Sequence, residues 1–185
     1  MATATNLRIE EGLTIEDFEN LPDALAHNHE LVDGELIDVS GNIGEHNELR
    51  DLLAVILLPF VTERKLGKVI TEQEYDFNGN AYGPDVSFID SSKLHLFDRK
   101  RRVQLFVPDL AIEIVSQNDK FESLMKKAKR YRECGTRDVW IFSVAEREAL
   151  RYVGKQRTFL DENAEFSSDQ IPGFAIRIGD LLDRI

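Results

Sequence analysis

Hydrophobic residues recur at intervals of three and four positions between His46 and Arg64, a spacing that predicts a long amphipathic helix. The apolar positions of this stretch are Leu49, Leu52, Leu53, Ile56, Leu57 and Phe60. Pro59 lies near the end of the pattern, where we expect it to kink the helix or to mark its last turn. A second, basic helix is predicted over residues 119–133, with Gly135 as a suitable C′ residue.

Several segments have the alternation or the apolar composition of β-strands. They cover residues 68–77, 83–90, 105–116, 137–144 and 147–155. The segment 105–116 is the most hydrophobic, so we expect it at the centre of a sheet. The segment 147–155 is predicted to be an edge strand.

Two local signals organise the first forty residues. Thr14, followed three residues later by Asp17, is typical of a capping box at the start of a short helix. Asp33-Gly34 joins two alternating runs and predicts a β-hairpin. The order of elements favours an α/β fold, with a central mixed sheet flanked by helices and an N-terminal hairpin. Because no repeat or Pro/Gly-rich linker interrupts the chain, residues 1–185 are predicted to form a single domain.

Composition narrows the class of protein. A hydrophobic content of 42% and a charged content of 31% are typical of a soluble globular chain. Cys134 is the only cysteine, which excludes an intrachain disulfide framework and indicates a reducing compartment. The longest apolar run, at residues 52–61, is about half the length that spans a bilayer, and the N-terminus lacks the apolar core of a signal peptide. We therefore expect a cytoplasmic protein that does not bind membranes.

The charge is distributed unevenly along the chain, whose formal net charge is −11. Residues 1–50 hold 12 acidic residues against Arg8 and Arg50, a net charge of −10. Residues 93–132 hold 11 Lys and Arg against five acidic residues, a net charge of +6. The net charge of the whole chain argues against a nucleic-acid partner, but the local positive charge around residues 108–119 is compatible with a polyanionic partner.

The stretch PDLAIEIVSQND, residues 108–119, places Glu113 among apolar residues. A buried carboxylate is unfavourable unless it is ion-paired, hydrogen-bonded or bound to a metal. The two-residue period of a strand separates two faces, one carrying Leu110, Ile112 and Ile114 and the other carrying Ala111, Glu113 and Val115. Asp85 begins another predicted strand, in GPDVSFI. If the two strands are neighbours, both carboxylates can point into one cleft and, with a strand carbonyl and waters, suit Mg²⁺ or Mn²⁺.

The predicted basic helix adds cations to this picture. Lys120, Lys127 and Tyr131 fall near one helix face, and Lys126 and Arg130 form an adjacent stripe. An ammonium group beside a metal-bound water can orient that water and stabilise charge on a phosphate. The set of side chains therefore favours metal-assisted hydrolysis of phosphodiester bonds.

The order of ELVDGEL, a helix beginning with His46, GPDVSFI, PDLAIEIVS and KKAKRYRECGTRDVWIF resembles the Uma2 family, also known as DUF820. Members of this family are assigned to the PD-(D/E)XK nuclease superfamily. The resemblance runs from about residue 16 to the C-terminus and includes IPGF at residues 171–174. It implies a restriction-endonuclease-like core, a divalent metal, DNA as the substrate, and often a homodimer.

The resemblance also implies roles for individual residues. Asp85 matches the first acid of the motif and Glu113 the second, which makes them the expected metal ligands. The standard signature has a lysine at the position of Val115, whereas Uma2-like sequences resemble this chain in having valine there. They carry a lysine in the following helix, at the position of Lys127, which is the expected catalytic lysine.

Further positions are weaker candidates. Glu30 and His46 match other recurrent family positions, and Lys126 competes with Lys127 for the role of the lysine. Asp109 shares the predicted face of Glu113 but lies at the start of the strand. The run RKRR at residues 99–102 is predicted to form a surface loop that can hold a phosphate backbone.

Two other functions are open from the sequence. The fold can serve as a catalytically inactive module that binds nucleic acid or protein, which the valine at position 115 and the acidic total charge favour. The two carboxylates can instead serve a glycosidase, as acid and base on either side of a sugar. The sequence shows no aromatic-rich sugar platform, and the basic helix would then have no task.

Overall fold

The computed structural model of the protein describes residues 12–39, 44–116 and 121–185. The α-helices in these ranges are α1 (Ile15–Glu19), α2 (Asp23–Ala26), α3 (Gly44–Glu63), α4 (Phe121–Glu133) and α5 (Ile178–Leu182), with a 3-10 helix at Ser91–Leu96. The strands are β1 (His29–Val32), β2 (Glu35–Asp38), β3 (Gly67–Thr71), β4 (Glu74–Asp76), β5 (Ala81–Tyr82), β6 (Val86–Asp90), β7 (Val103–Gln104), β8 (Leu110–Ile114), β9 (Asp138–Ser143), β10 (Glu148–Val153), β11 (Gln156–Leu160), β12 (Glu165–Ser167) and β13 (Ala175–Arg177).

The main sheet has six strands in the order β11-β10-β9-β8-β6-β3. Strands β8 and β9 are parallel and the other neighbours are antiparallel, so the sheet is mixed, as predicted. Strand β8 lies at its centre, which confirms the expectation from its hydrophobicity. A second sheet has the order β2-β1-β5-β4-β7, and β12 pairs with β13.

Helices cover both faces of the main sheet. Leu110, Ile112 and Ile114 of β8 pack in one apolar cluster with residues of α3. Ala111 and Val115 belong to the opposite cluster, which includes residues of α4. The two-residue period predicted for this strand is thus confirmed, and it places Glu113 on the α4 side.

The second sheet packs against the α4 side of the molecule. Tyr75, Phe77 and Tyr82 of this sheet region share a cluster with Tyr131 of α4, and the ring centroids of Phe77 and Tyr131 lie 4.3 Å apart. This packing places the β1–β2 hairpin beside α4. A cleft lies between them.

Local turn and cap signals form as predicted. Thr14 and Asp17 make a capping box at the start of α1. The β1–β2 hairpin turns at Asp33 and Gly34, whose φ angles are 49° and 85°. Helix α4 ends at Glu133, and Gly135 follows with φ 108°. The amide of Thr136 donates to the carbonyl oxygen of Tyr131 in the last turn of the helix.

Two sequence predictions were wrong. Residues 68–77 do not form one strand, because Glu72 adopts φ 53° and divides the segment into β3 and β4, which belong to different sheets. Residues 147–155 do not form an edge strand, since β10 pairs with both β9 and β11.

Helix α3 continues past Pro59 to Glu63. No helix in the described ranges is long and apolar enough to cross a membrane.

We predict that Gly67→Ala destabilises the protein by about 1–3 kcal/mol, since a Cβ atom at this position would lie 1.9 Å from the carbonyl oxygen of Ile89. Urea denaturation measures the effect. Gly44→Ala is the matched control, because a Cβ atom there meets nothing within 4 Å. Equal denaturation midpoints for the two variants would contradict the prediction.

Candidate active site

Asp85 and Glu113 lie side by side at the base of the cleft. Strands β6 and β8 pair with Val86 opposite Ile112, so Asp85, the preceding residue, faces Glu113 across the ladder. The Oδ2 atom of Asp85 accepts a hydrogen bond of 2.7 Å from the amide of Ile114. The expectation that the two strands are neighbours is confirmed, and both carboxylates line the same cleft.

Glu113 is buried, with 5% of its surface exposed, and each carboxylate oxygen has a partner. Its Oε1 atom accepts a hydrogen bond of 2.6 Å from the hydroxyl of Tyr131, and its Oε2 atom accepts one of 3.0 Å from the ammonium of Lys127. Both partners come from α4. They lie four residues apart and hence on one helix face.

Lys127 joins Glu113 to the N-terminal hairpin. Its Nζ atom lies 3.0 Å from Oε2 of Glu113 and 2.8 Å from Oε1 of Glu30, on β1. The same oxygen of Glu30 accepts a hydrogen bond of 3.0 Å from the amide of Gly83. Val115 packs in the apolar cluster on the α4 side. The structure therefore places the ammonium of Lys127 beside the carboxylate of Glu113. Val115, at the position of the lysine in the standard motif, supplies no ammonium.

Burial controls the protonation of this group. Desolvation raises the pKa of Glu113 to about 8, opposed by the charge of Lys127 and reinforced by Asp85 and Glu30. Burial alone lowers the pKa of Lys127, but Glu113 and Glu30 outweigh it and raise that pKa above its usual value. Burial also raises the pKa of Tyr131. Near neutral pH, Lys127 is an ammonium and Tyr131 a phenol, and both act as donors.

His46 of α3 also lines the cleft and supports Asp85. Its Nε2 atom lies 3.1 Å from Oδ1 of Asp85, and the ring is buried in the first turn of α3. Burial alone lowers the pKa of His46, but the hydrogen bond and negative charge of Asp85 outweigh it, so this pKa is raised. The amide of Ile114 and the imidazole of His46 thus fix the orientation of the Asp85 carboxylate.

The site carries an excess of negative charge once its carboxyl groups are ionised, the state in which they could bind a divalent cation. When Glu30, Asp85 and Glu113 are all ionised, Lys127 balances only one of the three, which leaves a net charge of −2 with His46 neutral. Within the described ranges, no group of three or more His, Cys, Asp or Glu side chains is arranged around a metal position. Asp85 and Glu113 therefore offer two carboxylates. If they held a divalent cation, a main-chain carbonyl and waters would have to complete its shell, an oxygen ligand set that suits Mg²⁺ or Mn²⁺.

The other cationic candidates are placed differently. Lys126 is exposed on the wall of the cleft, one residue from Lys127. Lys120 lies outside the described residues. In the run at residues 99–102, Arg101 pairs with Glu19 and Arg102 with Glu74, so half of this run stabilises the packing of the second sheet.

Asp109 does not belong to the site. It is fully buried at the start of β8 and does not line the cleft. Its Oδ1 atom lies 2.9 Å from Nζ of Lys93, and its Oδ2 atom accepts a hydrogen bond of 2.9 Å from the amide of Asp90. These contacts explain its burial as a structural ion pair.

Sequence reasoning missed two supporting groups. The amide of Gly83 holds Glu30, and the signal for it was limited to the Gly-Pro step before Asp85. Arg50 lies one helical turn after His46 and pairs with Glu72, with 2.7 Å between Nη1 and Oε1. The four-residue spacing from His46 could have indicated that Arg50 lies on the same face of α3.

Comparison with known proteins gives a family match and a similarity of fold to solved structures. The chain matches the Uma2 family, described as "Putative restriction endonuclease", over residues 15–179. Its fold is similar to a solved structure from Anabaena variabilis, described as "a putative nuclease belonging to DUF820", with a TM-score of 0.82 at 20% identity over 92% of this chain and 98% of that chain. A chain of the DrdV–DNA complex gives a TM-score of only 0.38 at 16% identity over 75% of this chain and 13% of that chain. No curated protein matches the chain.

We predict that the free energy of unfolding of the metal-free protein falls as pH rises from about 6 to about 8. Because the folded-state pKa of Glu113 is about 8 and its ordinary value is 4.5, the folded state binds the proton more tightly. Its contribution is present below the ordinary pKa and is lost as pH rises through the folded pKa, with a slope of up to about 1.4 kcal/mol per pH unit.

Urea denaturation in EDTA at a series of pH values measures this slope. Glu113→Gln removes the titrating group while keeping its shape, so its unfolding free energy should depend less on pH. A variant with the same slope as the wild type would contradict the assignment to Glu113.

Proposed function

The chain belongs to the Uma2 family, and from that premise we propose that it is a metal-dependent endonuclease that hydrolyses phosphodiester bonds in DNA. The observation that carries the proposal is the convergence of Asp85, Glu113 and Lys127 in one cleft, with the lysine 3.0 Å from the second carboxylate. This is the constellation that the PD-(D/E)XK resemblance implies, with the lysine contributed by α4.

Asp85 and Glu113 are the proposed ligands of Mg²⁺ or Mn²⁺. A bound divalent cation lowers the pKa of water and polarises a phosphoryl oxygen, which is the chemistry this reaction needs. The protein's own contribution is to hold the two carboxylates in fixed orientations. The amide of Ile114 and His46 hold Asp85, and the hydroxyl of Tyr131 holds Glu113.

Lys127 is proposed to be a hydrogen-bond donor and a positive charge. Its raised pKa keeps it protonated, so it is not a general base. From its place between Glu30 and Glu113, the ammonium can donate to an oxygen of the scissile phosphate or orient the attacking water. Negative charge builds up on the phosphate in the transition state, and a fixed ammonium stabilises it.

The charge on α4 supports DNA as the substrate. Four cations of this helix line the cleft, namely Lys126, Lys127, Lys129 and Arg130. Lys and Arg side chains on such a surface form ion pairs with the phosphates of a nucleic acid. The family assignment to endonucleases disfavours the glycosidase alternative, and a non-cleaving DNA-binding module is the alternative outcome of the test below.

A homodimer is part of the same proposal. Strand β3 ends the six-stranded sheet, with one strand neighbour in the described ranges. A shallow groove beside it is lined by Leu58 and Phe97, and Leu58 is 49% exposed. A sheet edge beside an exposed apolar side chain is a suitable surface for a second copy of the chain.

We predict that the wild type cuts supercoiled plasmid or single-stranded circular DNA in Mg²⁺ or Mn²⁺ and does not cut in EDTA. Glu113→Gln removes the charge of a metal ligand, and Lys127→Met removes the ammonium while keeping much of the side-chain volume. Each variant should lose at least about 100-fold in cleavage rate.

Lys155→Met is the matched control, because Lys155 is exposed in the β10–β11 turn and does not line the cleft. It should cut like the wild type, and circular dichroism should show all variants folded. Cleavage by Glu113→Gln at the wild-type rate would contradict the proposed site. Retention of DNA without cleavage by any of the proteins would favour the binding module.

A further inference from the structure

The two walls of the cleft carry opposite charge. One wall is α4, where four cations, Lys126, Lys127, Lys129 and Arg130, outnumber one acid, Glu133. The other is formed by the N-terminal hairpin and the segment before it, with Asp23, Glu30, Asp33 and Asp38. Residues 12–39 contain no lysine or arginine. Arg102 also lines the cleft and donates to the carbonyl oxygen of Ala26, but its guanidinium is ion-paired with Glu74, another lining residue. Acidic side chains therefore outnumber cations on this wall.

The walls also approach each other closely. Nζ of Lys127 lies 2.8 Å from Oε1 of Glu30, and Nη2 of Arg130 lies 3.3 Å from Oδ1 of Asp33, at the turn of the hairpin. Beneath these contacts, Glu113 and Asp85 are 5% and 9% exposed. A scissile phosphate that enters between the hairpin and α4 therefore meets both charged walls before it reaches the two carboxylates.

We infer that this cleft selects single-stranded DNA over duplex DNA, an inference that rests on the proposed nuclease function. A duplex carries phosphates on two strands, one charge per about 1.7 Å of its axis, and its major groove alone is about 12 Å wide. If one strand of a duplex lies against the cations of α4, phosphates of the other strand face the acidic hairpin. A single strand has one backbone and avoids this repulsion.

The chemistry of the hairpin wall suits bases better than phosphates. His27, Asn28 and His29 supply hydrogen-bonding groups, and Ile37 and Val39 are 42% and 41% exposed. Base edges bind polar groups and base faces pack on apolar ones. A strand in the cleft would thus place its backbone against α4 and its bases against the hairpin.

The Arg130–Asp33 contact is weak enough to open for a substrate. Asp33 is 75% exposed at its side chain and Arg130 is 31% exposed. Exposed ion pairs contribute about 0–1 kcal/mol. A phosphate of the incoming strand can therefore replace Asp33 as the partner of Arg130.

Binding in EDTA tests the inference without cleavage. Fluorescence anisotropy compares a fluorescein-labelled single strand of roughly 20 nucleotides, free of self-complementarity, with the duplex of the same sequence at about 50 to 200 mM NaCl. The wild type should bind the single strand at least about 10-fold more tightly than the duplex. Equal or tighter binding of the duplex, or no binding of either probe, overturns the inference.

Variants of each wall separate the attraction of a DNA strand to α4 from the repulsion of a duplex by the acidic hairpin wall. Lys126→Ala removes an exposed cation of α4 and should weaken single-strand binding, with a salt slope shallower by about 0.7. The double variant Asp23→Asn/Asp33→Asn removes two hairpin charges, and asparagine tolerates the φ of 49° at position 33. The double variant should reduce the difference in affinity between the single-stranded and duplex probes, mainly by improving duplex binding. An unchanged ratio of the single-strand affinity to the duplex affinity overturns the inference.

Lys155→Ala is the control for the loss of one lysine and should leave both affinities unchanged. The outcomes also distinguish this inference from the proposed function. Metal-dependent cleavage together with preferred duplex binding would overturn strand selection and leave the nuclease intact. Preferred single-strand binding without cleavage in any metal would support strand selection and contradict the nuclease.

Discussion

The site depends on the ion pairs of Lys127, whose side chain is 16% exposed. Its ammonium lies within 3.0 Å of carboxylates from two different strands, Glu30 of β1 and Glu113 of β8, while itself belonging to α4. One side chain therefore joins the N-terminal hairpin, the central strand and the basic helix. Taking these charges out of water is costly, and removal of the lysine would leave two buried carboxylates without a counterion. The arrangement is accordingly better explained by chemistry than by stability.

The same contact bears on how an acidic protein could bind the polyanionic substrate that we propose. The net charge of −11 is concentrated in the first 50 residues, and the hairpin built from them forms one wall of the cleft. Helix α4 carries the opposite charge on the facing wall. A bound substrate responds to the local electrostatic field of the cleft rather than to the net charge of the chain. That field points from the basic wall of α4 to the acidic wall of the hairpin.

The centre of the fold could be predicted from local patterns. The alternation at residues 110–115 gave both the position of β8 and the side on which Glu113 lies, because one face of that strand must pack on α3. Asp33-Gly34 gave the hairpin, since this pair adopts the positive φ angles of the turn. The division of residues 68–77 was missed, because alternation in sequence does not reveal a bend at Glu72. Strands β11 to β13 lie in a polar region that gave no clear signal.

The site was less accessible to sequence reasoning than the fold. Asp85 and Glu113 could be paired once their strands were taken as neighbours, but Glu30 contacts an amide 53 residues away, and only family resemblance pointed to it. Helical spacing did not decide between Lys126 and Lys127, since adjacent residues point in different directions. In the structure, Lys127 turns inward and Lys126 outward.

Crystals grown with Mn²⁺ offer the most direct test of the central claim, that Asp85 and Glu113 are metal ligands beside a fixed ammonium. Anomalous scattering should show one Mn²⁺ ion at about 2.0–2.3 Å from an oxygen of each carboxylate, with Lys127 still within hydrogen-bond distance of Glu113 or Glu30. A map without a peak at this position, with the Lys127–Glu113 pair intact, would contradict the claim. Glu113 would then be half of a structural ion pair.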